Sequence, residues 1–239
     1  MKPIDIMGVP IHPVDEGEVK RLIEDYLKSH ETQSIMTPNP EMVMEAQKNT
    51  KLMEALKRSD LVIPDGIGLI IVSKVKKKGL MQRVTGIDTM EQILNVSNEK
   101  KQKVFLLGGK PGVASEAADK IRDMHKGIGI AGSHHGYFSD SETDRILKTI
   151  HNASPDVLLV GLGFPRQEIW IHDNRHRLPC KIVMGIGGSL DVYAGKVKRA
   201  PAAFQRIGLE WLYRLLKEPW RIKRMAVLPQ FLWKALWKL

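Results

Sequence analysis

Asp65 stands in residues 61–71, LVIPDGIGLII, with apolar runs on both sides. Acidic side chains are seldom buried without a partner, so the position asks for an explanation. One use is to cap the helix that follows, and position alone favours it. The chemical use is general base catalysis. Apolar neighbours raise the pKa of an unpaired carboxylate, and a base tuned toward neutral pH is worth roughly 10²–10⁴ in rate. Pro64 and Gly66 restrict the backbone on either side.

Other polar residues and glycines also follow apolar runs. Thr37 and Asn39 come after QSIM, Gly108 and Gly109 after KVFLL, and His134, His135 and Tyr137 after residues 127–132. Arg166, Gln167 and Glu168 come shortly after DVLLV, and Gly187, Gly188 and Asp191 after KIVM. Each alone reads as an ordinary turn. Together they fit a cleft for a phosphate or nucleotide. Ligands of open α/β sheets bind beyond the carboxyl ends of strands. Glycines let the backbone approach, and helix amino ends offer N–H groups to an anion. The motif of an NAD-dependent oxidoreductase is missing: in GLGFPR, Arg166 stands where GxGxxG has its third glycine, and GIGGSLD does not fit either. No GxxxxGK[ST] is present, which excludes a P-loop.

Metal chemistry finds little support. His172 and His176 share a helix face at a ligand spacing, but no HExxH or third ligand accompanies them. They read as surface histidines. His134 and His135 are adjacent, so their side chains are expected to diverge in a solvated loop. Cys180 reads as a buried structural thiol. The DxD carboxylates that clamp a nucleotide diphosphate through a metal are absent. The expectation is no metal and no other cofactor, with charge met by Arg, Lys and helix amino ends.

The elements that must position these residues alternate. Apolar runs at residues 103–109, 156–163 and 181–188 are separated by helical patterns at 113–126, from Ser139 or Ser141 to about 153, and 165–177. Before them, helical patterns at 15–29, 41–49, 51–57 and 67–77 flank short strands at 33–37 and 61–63. Strands spaced by helices predict an α/β fold with a mostly parallel sheet covered on both faces. Composition shifts near Gly195, which sets a core at 1–194 and an appendage at 195–239. The appendage holds eleven Lys or Arg against two Glu, and four of the five Trp.

In the appendage, Phe204, Ile207, Trp211, Leu212, Leu215 and Leu216 form one helical stripe. That face can pack on the chain's own core or on a second copy, so a homo-oligomer stays open. Residues 230–239, rich in Trp, Leu and Lys, fit a core helix poorly and suit a membrane interface. Each basic residue near an anionic leaflet is worth about 1 kcal/mol. The pI of 9.6 would also suit nucleic acid, but cations clustered with Trp and Leu favour lipid headgroups. Nucleic acid is therefore not an expected partner. No run of about 18 apolar residues predicts a transmembrane helix, and the amino end lacks the apolar core of a signal peptide. A single cysteine points to a reducing compartment. The expected location is the cytoplasm, peripherally on the inner face of the cell membrane.

Seven blocks, TPNPEMVMEA, LVIPDGIG, RVTGID, VFLLGGKPGVA, GYF, LLVGLGFPRQEIWI and GIGGSLDVYAGKVKRAP, resemble the WecG/TagA/CpsF family of bacterial glycosyltransferases. The likeness they carry extends over roughly residues 35–220. The resemblance implies a Rossmann-like core with a C-terminal appendage that meets the membrane. It implies a UDP-sugar-dependent hexosyltransferase that moves N-acetylmannosamine from UDP-N-acetylmannosamine. The acceptor is the C4 hydroxyl of N-acetylglucosamine on undecaprenyl diphosphate. The linkage is an inverted β-1,4 bond, made in wall teichoic acid linkage-unit synthesis. Relatives use UDP-N-acetylmannosaminuronic acid or other sugars, and no residue here chooses between them.

The resemblance makes Asp65 the base and puts Thr37 and Gln167 in its pocket. Position after strands makes Asn39, Gly108, Gly109, Tyr137, Gly187, Gly188 and Asp191 candidates for the nucleotide sugar, with Asp191 on the ribose. Arg83, Arg214, Arg221 and Arg224 are candidates for diphosphate charge. If those arginines complete the site, the appendage must fold over the cleft, and membrane docking could switch activity on.

Overall fold

The computed structural model describes residues 1–80, 82–217, 219, 222 and 226–237. Six strands form one parallel sheet: β3 (Gln33–Met36), β4 (Leu61–Val62), β5 (Lys103–Gly108), β6 (Gly129–His134), β7 (Val157–Gly161) and β8 (Ile182–Gly185). Their order across the sheet is β4-β3-β8-β7-β5-β6. Successive residues of a strand face opposite sides, and the core divides accordingly. Phe105, Leu107, Leu158, Val160 and Val183 belong to one buried cluster. Val104, Leu106, Val157, Leu159 and Ile182 belong to the other. Both faces are covered, so the strands read as continuous apolar runs. The fold is the predicted Rossmann-like α/β sheet with helices on both sides.

One helical layer comprises α1 (Glu16–Tyr26), α5 (Gly86–Glu99), α6 (Val113–Met124) and α9 (Ser189–Tyr193). The other is built from α2 (Pro40–Ala46), α3 (Thr50–Lys57), α4 (Ile67–Val75), α7 (Thr143–Ala153) and α8 (Arg166–Asn174). Local chemistry sets the starts. Asp15 and Glu18 form a reciprocal capping box on α1, and Asn49 caps α3. A hairpin of β1 (Ile4–Ile6) and β2 (Val9–Ile11), absent from the sequence reading, turns through Met7 and Gly8, both at positive φ.

The appendage forms α10 (Ala202–Arg206), α11 (Glu210–Lys217) and α12 (Val227–Trp237). The single stripe expected over residues 204–216 is broken. Gly208, at φ +73, sits against Ile67 and separates two short helices. Ile207 and Leu216 are exposed. The reading of residues 230–239 as poorly suited to a core helix is corrected for the described part, 230–237. Val227, Phe231 and Ala235 recur every fourth residue and line one helix face. Phe231 and Ala235 are fully buried, and α12 lies against α2 and α4. Its other face leaves Trp233 57% and Trp237 77% exposed. Among the described residues no helix is long and apolar enough to cross a membrane.

The chain leaves β5 toward β6 at one sheet edge, and leaves β7 toward β8 in the opposite direction. Their carboxyl ends therefore border a topological switch point, the usual ligand crevice of such sheets.

Candidate active site at the carboxyl edge of the sheet

The loops after β3 and β4 are tied together. The Asp65 N–H donates to the Pro38 carbonyl at 3.1 Å, and the Val84 N–H to the Pro64 carbonyl at 3.2 Å. This draws the start of α5 onto the same spot. Gly86, its first residue, donates its N–H to Asp65 Oδ2 at 3.1 Å. A Cβ on Gly86 would lie 2.8 Å from Thr37 Oγ1 and 3.6 Å from Asp65 Oδ2. Thr37 and Asp65 thus flank one glycine. The capping use of Asp65 is not the one expected: Gly66 stands at the α4 N-cap without a side-chain bond, and Asp65 meets α5 instead. A negative charge there is favoured by the helix dipole.

Asn39 does cap its helix, its Oδ1 accepting the Met42 N–H at 2.9 Å. That gives the oxygen a structural use within α2.

Glycines crowd the switch point. A Cβ on Gly108 would lie 2.3 Å from the Gly161 carbonyl oxygen, so only glycine fits where β5 and β7 end side by side. The Gly109 N–H bonds that same oxygen at 3.1 Å, and the Gly136 N–H bonds the Gly109 carbonyl at 2.8 Å. Arg166 joins this loop to α8, donating to the Gly136 carbonyl at 2.8 Å and lying 4.6 Å over the Phe138 ring. The arginine that breaks the glycine fingerprint is therefore a tie between two loops. Tyr137, 65% exposed, stands at the rim. His134 and His135 do not diverge as expected. Their rings lie 4.4 Å apart, because the chain turns back toward Gly109 straight after them.

Gln167 and Glu168 open α8, and both are buried. Gln167 Oε1 accepts the Gly187 N–H at 3.0 Å, and its Nε2 donates to Glu168 Oε1 at 2.6 Å. The pair sits over Gly185, where a Cβ would meet Gln167 Nε2 at 2.8 Å. Burial pushes the Glu168 carboxyl up to about 7, opposed by the hydrogen bond from Gln167. The sequence places Glu168 at this edge without giving it a role. The signal was there in RQEIWI, an acid followed at once by large apolar residues. Gly188 precedes α9, with Asp191 in its first turn.

Arg83 is mostly buried, and its guanidinium meets Glu210 of α11 at 3.2 Å. Arg199 pairs with Asp88 at 2.6 Å and approaches Glu210 at 3.8 Å. Asp88 is held by Thr85, the N-cap of α5. The start of the appendage is therefore linked to the helix end that Asp65 touches. A cavity of about 420 Å³ lies between α4 and α10, with Arg83, Thr85 and Asp88 on its wall. The Arg214 side chain, Arg221 and Arg224 lie outside the described residues. Cys180 is buried, its thiol pushed up to about 12 by burial, which suits a structural role. Among the described residues no three His, Cys, Asp or Glu side chains gather to hold a metal.

The model of the glycosyl transferase WecG/TagA/CpsF family matches residues 4–239. Three similar proteins share the name N-acetylglucosaminyldiphosphoundecaprenol N-acetyl-beta-D-mannosaminyltransferase. That of Bacillus subtilis (strain 168) is 40% identical over 212 residues, covering 87% of this chain and 82% of the relative. That of Bacillus spizizenii (strain ATCC 23059 / NRRL B-14472 / W23) is 39% identical, covering 89% and 82%. That of Staphylococcus aureus (strain MRSA252) is 35% identical, covering 97% and 91%. With the parallel sheet and its glycine-lined crevice, these matches place the chain: it belongs to the WecG/TagA/CpsF family of glycosyltransferases.

Proposed function

We propose that this protein transfers N-acetylmannosamine from UDP-N-acetylmannosamine to the C4 hydroxyl of N-acetylglucosamine on undecaprenyl diphosphate. The linkage formed is β-1,4, with inversion, in wall teichoic acid linkage-unit synthesis. The observation that carries the reading is the shared name of relatives of whose length the chain covers 82% and 91%. The flanking of Gly86 by Thr37 and Asp65 supports the chemistry. Asp65 takes the proton from the acceptor hydroxyl as that oxygen attacks the anomeric carbon. Attack comes from the face opposite UDP, the bond to the UDP oxygen breaks, and one displacement inverts the centre. Thr37 and Gln167 hold sugar hydroxyls. UDP lies over the glycine turns at 108–109 and 187–188, with Asp191 on the ribose and Tyr137 at the rim.

Charge on the leaving diphosphate is met by helix amino ends and by Arg83, Arg214, Arg221 and Arg224. Arg83 must exchange Glu210 for phosphate to do so, which gives the appendage a part in the site. Exposed Trp233 and Trp237, with the basic residues near them in sequence, hold the protein on an anionic membrane surface.

The test is single-turnover release of UDP, with a lipid-diphosphate N-acetylglucosamine acceptor, by wild type and Asp65→Asn. A variant that binds UDP but loses about a hundredfold in rate supports Asp65 as base. A variant that keeps its rate makes Asp65 a cap of α5. A wild type inert with this pair but active with UDP-N-acetylmannosaminuronic acid changes the donor and keeps the family chemistry.

A further inference from the structure

Glu168 is 1% exposed, and only one of its oxygens is used. Oε1 accepts from Gln167, while Oε2 has no hydrogen-bond partner among the described residues. A buried carboxylate with an unpaired oxygen is costly. A neutral glutamine or methionine of similar volume would fill the same space at less cost. Such costs persist where function holds them in place. Packing alone does not account for an acid here.

The hydrogen bonds say what the acid does. The Gln167 carboxamide is gripped at both ends, by the Gly187 N–H on its oxygen and by Glu168 on its nitrogen. Turned over, the amide would set a donor against the Gly187 N–H and an acceptor against a carboxylate. Once ionised, the carboxylate can only accept, so in that form it enforces one orientation. A charged acceptor also makes the stronger bond. Gln167 keeps one amide hydrogen and one lone pair beyond these two bonds. Gly187, at φ +54, is part of the same chain of bonds and belongs to the turn after β8.

We propose that Glu168 is a positioning residue for glycosyl transfer, which fixes the Gln167 carboxamide and the Gly187 turn so that Gln167 offers one set donor and acceptor to the sugar. This rests on the placement of Gln167 in the sugar pocket given above. Small misplacements of binding groups cost about 10²-fold in rate, so the effect is large for a residue that touches no substrate.

The experiment compares wild type, Glu168→Gln, Gln167→Ala and the double variant in the UDP-release assay, with urea unfolding of each. The full ¹⁵N-labelled chain also gives side-chain amide spectra, the Gln167 pair being assigned by its loss in Gln167→Ala. Glu168→Gln is expected to lose tenfold or more in rate while unfolding no more easily than wild type. The double variant should be within about twofold of the worse single one, and the Gln167 amide pair should shift in Glu168→Gln. A Glu168→Gln rate within twofold of wild type overturns the proposal, as do losses that multiply. An unchanged amide pair, or a rate loss matched by a large loss of stability, also overturns it. If wild type itself is inert with this donor and acceptor, the substrate assignment falls. The amide spectra then decide alone whether Glu168 holds Gln167.

Discussion

Gly86 stands against Thr37 so closely that a single added methyl would meet the Thr37 hydroxyl at 2.8 Å. The same glycine donates its N–H to Asp65. One position thus governs two side chains of the candidate site. Alanine at residue 86 has no backbone reason to fail, since it would begin a helix, where it is well tolerated. Gly86→Ala should therefore push the Thr37 side chain aside and lower the transfer rate by about tenfold or more. Its urea midpoint should stay near that of wild type. A rate loss accompanied by general unfolding would count against this selective effect.

Gly108→Ala should behave differently. Its Cβ would lie 2.3 Å from the backbone oxygen of Gly161, which cannot swing away as a side chain can. Clash and strain of this kind are worth roughly 3 kcal/mol or more. The expected outcome is a destabilised protein with weakened UDP binding, read by denaturation and by calorimetric titration of UDP.

Glu168 should make stability fall with rising pH. Its folded carboxyl titrates at about 7, above the ordinary value of 4.5. Between these values the unfolded chain releases a proton that the native state keeps, so stability drops as pH rises through that window. The full span is on the order of 3 kcal/mol. Glu168→Gln has no such proton, so its stability relative to wild type should grow between about pH 4.5 and 7. Parallel curves for the two proteins would show that this acid does not titrate there.

Arg83, Arg199 and Glu210 form one mostly buried ion cluster. Removing Glu210 takes this ion pair from Arg83, while Arg199 keeps Asp88. A double-mutant cycle of Arg83→Ala and Glu210→Ala should give a coupling of about 1–3 kcal/mol in urea unfolding. Strict additivity would mean that the pair is not stabilising.

The two faces of α12 should separate by mutation. Phe231→Ala removes a fully buried ring and should release α12, seen as faster proteolysis within residues 226–237 while the sheet stays folded. Trp233→Gln with Trp237→Gln should leave stability within about 0.5 kcal/mol and weaken retention on anionic vesicles. Equal retention would remove these tryptophans from the membrane surface.

The parts of this architecture that depend on local pattern were legible in the residues. The apolar runs at β5, β7 and β8 and the turns after them announced the sheet and its glycine-lined edge. What escaped was set by tertiary contact. Asp65 lies next to Gly66 in sequence, yet its carboxylate serves a helix that begins twenty-one residues later. Nothing in LVIPDGIG reveals that Gly86 will be its partner. Residues 230–239 looked suited to a membrane interface because they are rich in Trp, Leu and Lys. The burial of Phe231 and Ala235 depends on α2 and α4, and Phe231 packs beside Gly68. Glu168 escaped because acids in a first helical turn are ordinary, and only the fold shows that this one faces inward.

The sheet order has a consequence for how the protein is made. Of the described strands β8 is the last to leave the ribosome, yet it lies in the middle, between β3 and β7. Until it arrives, β4-β3 and β7-β5-β6 are separate ribbons, each with an open edge toward the gap. Open strand edges are sites of mispairing and aggregation. Chains ending before residue 185 should therefore be insoluble rather than merely inactive. The Asp65 side and the Gln167 side of the site come from different ribbons, so the insertion of one four-residue strand both closes the sheet and brings the two halves of the site together.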